Sequence, residues 1–414
     1  MFGFGERFVV GYDLSTEYAQ ISYMGMQDAM PETVTLAEGR EDYNIPACLF
    51  KRMEVNQWFF GREAKNYSSV EEGTMVDNLL EHALVGDKLK IGEDEFDHVA
   101  LLALFIKRSM TLLKNVPKEK IAAIMFTVPD LTKRAIEVLE SVTQVLGFDD
   151  TKIFFVGRQE SIFYYVIHQQ KELWKQDVLV YDFSQRNLKG YHFCVNRNSR
   201  PQVAVVDETI HPIVAGDVNK DSEFCDVIKI DTKDSVVSGA FLIGNGFEDD
   251  WCHDSLKELC RGRRVFKGNN LYSKGACYAA RERLIDSDMN QSLIFLGKDK
   301  LKANIGMNLL RGSEESYYAI LDGGESWYDA KKEFDIILDK DNTFEILITP
   351  LDGRNVRSIE IVLDGLTQRE AKTTRLHLNV FMESDDRLRV CATDMGFGEF
   401  YPTTYQLFTR QIEL

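Results

Sequence analysis

The stretch Val178-Leu179-Val180-Tyr181-Asp182-Phe183-Ser184-Gln185-Arg186-Asn187-Leu188-Lys189-Gly190-Tyr191 decides what fold this chain is expected to have. Four apolar residues run into an acid, a polar turn follows, and a second apolar run, His192-Phe193-Cys194-Val195, comes after it. That order predicts a β-hairpin with a carboxylate at its tip. The N-terminus carries a near copy: Phe8-Val9-Val10-Gly11-Tyr12-Asp13, then Leu14-Ser15-Thr16-Glu17-Tyr18, then Ala19 to Tyr23. Two such units imply a duplicated architecture whose acids, Asp13 and Asp182, face one cleft.

Length and charge bound the rest. A chain of 414 residues is too long for one ordinary core and suits two or three domains. Its net charge of −17 repels phosphate backbones and anionic bilayers, so neither nucleic acid nor membrane is an expected partner. The seven cysteines are odd in number and scattered, and no Cys-x-x-Cys occurs. That argues against a disulfide framework or a zinc site and for reduced thiols in the cytoplasm. Met1 to Arg7 lacks a basic, apolar leader pattern, so no signal peptide is expected. The longest apolar run, Val99 to Ile106, is too short to span a bilayer.

Outward from the two hairpins, apolar spacing predicts further elements. Strands are expected at Asn44 to Phe50, Ile121 to Val128, Lys152 to Val156 and Ala240 to Ile243, and a helix start within Trp58 to Lys65. Helices are expected at Glu95 to Val116, Thr132 to Leu146, Glu160 to Leu173, Glu248 to Leu259 and Leu271 to Leu284. Asn196 to Val236 is polar and weakly patterned. Beyond Ser292, short alternating runs between Gly and Asp turns predict six or more strands of a β-sandwich. Asp249, Asp250 and His253 have the spacing of either a metal cluster or an exposed acidic helix start, and the helix start is the expectation.

The paired loops, Asp13-Leu14-Ser15-Thr16-Glu17 and Asp182-Phe183-Ser184-Gln185-Arg186-Asn187, resemble the two phosphate loops of the actin-like ATPase superfamily, and of the Hsp70 chaperones in particular. The run Ile121 to Pro129, helix, Gly147, strand, helix is similar to the same family. So is Gly244-Asn245-Gly246 before the Leu271 helix, which resembles the adenosine loop. The stretch from Asp341 to Val390 is similar to the Hsp70 substrate-binding sandwich. The resemblance implies an actin-like (ribonuclease H-like) duplicated α/β nucleotide-binding domain over 1–291, with a reduced subdomain between 192 and 239. A lidless all-β sandwich over 295–414 follows. It implies ATP or ADP with Mg²⁺ as a possible cofactor, with no cofactor equally open. The nucleotide contacts would be Asp13, Ser15, Thr16, Asp182, Ser184, Arg186, Gly244, Asn245 and Gly246, and Asp13 and Asp182 would hold Mg²⁺ through water. A protein partner, or a component of an Hsp70 system, is implied as well.

This chain departs from the family where chemistry is done. The loop glycines that let backbone amides approach phosphate are replaced by bulkier residues. The family's catalytic Glu falls on Arg158, and Glu160 could stand in only if the register slips. No lysine lies between Lys65 and Lys88, where a phosphate-contacting lysine belongs, and Leu79 is its expected replacement. Arg186 either meets phosphate or fills the pocket, and filling is the expectation. Asp13, Asp182 and Glu160 are the candidates left for catalysis. The sequence thus points to a degenerate, non-hydrolysing binding or scaffold protein that keeps weak nucleotide binding at most. An active but divergent ATP-dependent chaperone is the alternative.

Overall fold

The computed structural model describes residues 7–414 except 38, 54, 56, 149–150, 185–186, 200, 215–218, 286–291, 313, 340–341 and 352. The chain divides into two compact units, Met1–Ile294 and Phe295–Leu414.

The first unit is organised by the two hairpins. Phe8–Leu14 pairs antiparallel with Tyr18–Gly25, setting Asp13 opposite Gln20. Ile121–Val128 lies parallel on the other side of Phe8–Leu14, and Lys152–Gly157 lies parallel beyond it. The second sheet repeats this order. Asp177–Asp182 pairs antiparallel with Asn187–Asn196, setting Asp182 opposite Lys189. Val237–Ile243 lies parallel on its other side, and Arg264–Lys267 beyond that. Each sheet therefore carries a buried aspartate at the C-terminal end of its first strand, Asp13 one residue before the last and Asp182 the last. The central strands are apolar on both faces, as strands covered on both sides must be: all eight residues of Ile121–Val128 are buried.

Two helices lie between these sheets, and their sequences explain how closely they pack. Arg158–Ile167 follows the first sheet, and Leu271–Glu282 the second. A Cβ at Gly275 would stand 2.0 Å from the carbonyl oxygen of Ser161, so only glycine lets the two backbones touch. Gly11 plays the same part where Leu271–Glu282 meets Phe8–Leu14: a Cβ there would stand 2.1 Å from the Ser273 carbonyl oxygen.

Several expected elements are displaced. The helix expected from Glu95 begins at His98, after a strand Asp94–Asp97, because Asp97 caps it by accepting from the Val99 N–H at 2.8 Å. The helix expected at Glu160 to Leu173 is Arg158–Ile167 followed by a short turn of 3₁₀ helix, Lys171–Trp174. The helix expected from Glu248 starts only at His253. Asn245–Phe247 is a 3₁₀ turn, and the Trp251 indole donates to the Gly246 carbonyl at 2.7 Å, which holds the acids in the connection. His253 lies 3.8 Å from Asp250 at an exposed site. The weakly patterned segment after Asn196 contains a long strand, Gln202–Val214, antiparallel to Asn187–Asn196, and a helix, Lys220–Asp231. Thr132 to Leu146 stands as expected, with Thr132 as N-cap and Gly147 in the left-handed conformation at its end.

The second unit holds two four-stranded antiparallel sheets. One orders Glu314–Leu321, Ala303–Arg311, Thr343–Pro350 and Arg357–Val362; the other orders Lys331–Leu338, Thr374–Ser384, Arg387–Asp394 and Leu407–Glu413. Burial alternates along Thr374–Ser384, with Leu376, Leu378, Val380 and Met382 inside. This is the period-two pattern of a sheet with one buried face. Asp394 pins the turn after its strand. It accepts from both terminal nitrogens of Arg369 at 2.8 and 2.7 Å, from the Gly396 N–H at 3.0 Å, and from the Thr404 N–H and hydroxyl at 3.2 and 2.6 Å.

Candidate functional site

Asp13 and Asp182 come together, and the residue between them is Arg158. As the first residue of its helix, Arg158 is aimed back over the ends of the central strands. Its Nη2 lies 3.2 and 3.3 Å from the two Asp13 carboxylate oxygens, and its Nη1 lies 3.8 Å from Asp182 Oδ2. The guanidinium stacks 4.3 Å over the ring of Tyr272, whose hydroxyl donates to Asp182 Oδ2 at 2.7 Å. The remaining Asp182 oxygen accepts from the Ser184 N–H at 2.8 Å and from its hydroxyl. Solvent reaches almost none of this: Asp13 is 0%, Asp182 3% and Arg158 4% exposed.

Burial raises the Asp13 carboxyl to about 6, against the opposing pull of Arg158 and with a further push from Asp182. Arg158 is held firmly charged: burial disfavours the cation, but Asp13 first, then Tyr18, Tyr272 and Asp182, more than compensate. A buried carboxylate pair needs a cation, and here the protein supplies its own. The arrangement does not fit hydrated Mg²⁺, because a guanidinium already occupies the space between the two oxygens that would face the ion.

The other expected contacts are spread around this core. Ser15 is turned inward on its own backbone, donating to the Tyr18 carbonyl at 2.8 Å, and Thr16 donates to Glu81 at 3.2 Å. Gly244, at φ 97°, presses on the Ser184 turn: a Cβ there would stand 2.4 Å from the Ser184 nitrogen. Gly246 packs likewise on Phe183. Asn245 is tied across the cleft, its Oδ1 accepting from Asn44 Nδ2 at 3.1 Å. Gln20 Nε2 donates both to Asn44 Oδ1 and to the Asn269 carbonyl, each at 2.6 Å, and Asn269 Oδ1 accepts from the Gly244 N–H at 3.0 Å. These amides join the first sheet to the second. They leave a recess of about 250 Å³ at the mouth, among Asn44, Arg62, Asn245, Glu248 and Asn269. That is below the usual size of a small-molecule pocket.

Glu160 does not join the aspartates. Residues two apart on a helix point to different faces, and Glu160, buried, lies 3.7 Å from Arg283. Arg186 lies outside the described residues, and the arginine that fills the cleft is Arg158. Leu79, the expected replacement for the lysine, is fully buried. Sequence reasoning missed Tyr272, Gln20, Asn44 and Asn269.

The chain belongs to the family described as "Family of unknown function (DUF5716) C-terminal", whose model matches residues 30–298, more than half of the chain. Residues 300–414 match a second model, "Domain of unknown function (DUF8552)". A comparison with the curated proteins finds no match. Among the described residues no helix is long and apolar enough to cross a membrane.

Proposed function

We propose that this protein is a degenerate relative of the Hsp70-like and actin-like ATPases that works as a protein-binding or scaffold module without hydrolysing ATP. One observation supports the reading: Arg158, which the sequence resemblance aligns with the family's catalytic glutamate, lies 3.2 Å from Asp13 and 3.8 Å from Asp182 and neutralises the two aspartates that would otherwise serve a metal. Phosphoryl transfer depends on a metal that bridges the phosphates and on a group that positions the nucleophile. With the lysine absent and Arg158 in place of the glutamate, neither is provided. The strand order repeated in the two sheets, each with an aspartate at the end of its first strand, supports the kinship. The amide ties across the cleft support a domain held in one closed form, suited to presenting a surface.

A phosphate-release assay on the full chain tests this. Turnover at background is expected. Steady hydrolysis of ATP that disappears in Asp13→Asn or Asp182→Asn would establish the divergent-chaperone alternative instead.

A further inference from the structure

Two histidines and an aspartate meet outside the Arg158 cluster, within the stretch that begins where the lysine is absent. His82 lies on the helix Leu79–Val85, which stops at Gly86 in the left-handed conformation. That reversal brings Asp87 back against the helix, with His82 Nδ1 3.0 Å from Asp87 Oδ2. The hairpin of Lys88–Ile91 and Asp94–Asp97 then returns the chain, pairing Lys88 with Asp97, so that His98 reaches the same carboxylate. His98 Nδ1 lies 2.7 Å from Asp87 Oδ1 and 2.9 Å from the Asp87 carbonyl oxygen. The two imidazoles stack, with centroids 4.6 Å apart and planes 16° apart. His98 is buried, whereas the His82 and Asp87 side chains are 42% and 44% exposed. One ligand atom from each residue lies within 4.8 Å of the others, and among the described residues no other three His, Cys, Asp or Glu gather so closely.

We propose that His82, Asp87 and His98 form a binding site for a divalent transition-metal ion, with Zn²⁺ the best match. Two imidazole nitrogens and one carboxylate oxygen are a donor set that zinc accepts, and the exposed side leaves a fourth position to water. The plainer account is a carboxylate hydrogen-bonded to two histidines. The same contacts place both ring nitrogens against one carboxylate, and zinc binding exchanges their protons for the ion. Metal–ligand bonds of about 2.0–2.2 Å set neighbouring ligand atoms of a tetrahedral site roughly 3.3 Å apart. Whichever carboxylate oxygen ligates, its contact with the facing imidazole, now 2.7 Å (Oδ1, His98) or 3.0 Å (Oδ2, His82), opens by a few tenths of an ångström as the rings fan apart. His82 and Asp87 are exposed enough to make that movement, while His98 is fixed by packing. The bound ion would clip the helix Leu79–Val85 to the start of His98–Ser109.

The test titrates Zn²⁺ into the full chain against a chromophoric chelator, and Co²⁺ into a second sample whose visible spectrum reports the ligand type. One equivalent is expected at micromolar affinity or tighter, without thiolate-to-cobalt charge transfer. Binding should weaken roughly tenfold or more in His82→Gln and in Asp87→Asn. Both positions are part-exposed, and circular dichroism verifies that the variants fold. No uptake from micromolar zinc, or wild-type uptake in both folded variants, overturns the proposal. Zinc held by any of the seven free cysteines gives that second result and shows the thiolate absorption.

Discussion

The Arg158 guanidinium lies 3.2 Å from the Asp13 carboxylate with both side chains almost wholly out of solvent. The two residues are 145 positions apart, and the pair joins the helix Arg158–Ile167 to the end of the strand Phe8–Leu14. A buried ion pair is costly to form and more costly to break, because removing one partner strands the other.

Arg158→Met leaves Asp13 and Asp182 facing each other without a cation. Urea unfolding at neutral pH should show a loss of about 3–5 kcal/mol. Adding Asp13→Asn and Asp182→Asn removes the uncompensated charge and should recover most of that loss. A wild-type midpoint for Arg158→Met alone would mean that the pair is not formed in solution.

The Asp13 carboxyl should titrate near 6, raised from 3.8 chiefly by burial. The folded protein thus holds this proton more tightly than the unfolded chain does. The stability contributed by that proton is fully present below about pH 4 and is lost as pH rises through about 6, a difference of about 3 kcal/mol. Carbon-13 shifts of the Asp13 carboxyl give the midpoint directly. It should move higher in Arg158→Met, since the cation opposes the rise. A midpoint near 4 in the wild type would mean that Arg158 offsets the burial in full and would contradict the net rise.

Gly275→Ala should loosen the contact between the two central helices. Its Cβ would overlap the Ser161 carbonyl oxygen, and that atom belongs to helix backbone that cannot turn aside. A loss of about 1–3 kcal/mol in thermal unfolding is expected, or more if the helices cannot shift. Gly262→Ala is no steric control despite the open space around it, because Gly262 sits at φ 73°. Gly268→Ala, in open space without a positive φ, is the better comparison and should be near neutral.

Asp394 should govern the acid stability of the second unit. Burial would raise its carboxyl, but the hydrogen bonds from Arg369, then Thr404 and the Gly396 and Thr404 amides, hold it far below the usual range. Its contribution is therefore present above the ordinary aspartate value of about 4 and is lost as pH falls below it. Asp394→Ala also strands Arg369, whose side chain is 5% exposed, and should cost about 3–5 kcal/mol. Unfolding followed at pH 7 and at pH 3 measures both effects, and the variant should lose the acid sensitivity carried by this group.

The hairpins were legible because local patterning decides them: apolar runs of fixed period ending on a polar turn. The strand Lys152–Gly157 and the helix after it were legible for the same reason. What Arg158 does was not legible. Its partners Asp13 and Tyr272 lie on distant segments, and the 4.3 Å stacking on Tyr272 forms only once the helix Leu271–Glu282 is packed in place. The ties of Asn44 to Asn245 and of Gln20 to Asn269 span 201 and 249 positions and leave no periodic trace. Gln202–Val214 hid because Asp207, Glu208 and His211 interrupt its apolar alternation, although it pairs with Asn187–Asn196 along nearly its whole length.

On the proposed function, Arg158 occupies the place that a metal–nucleotide complex would take. Isothermal titration of Mg·ATP into the full-length protein tests it most directly. The account predicts no saturable heat at micromolar protein. Saturable binding at low micromolar Kd, about 8 kcal/mol, that is abolished by Asp13→Asn or Asp182→Asn would contradict it.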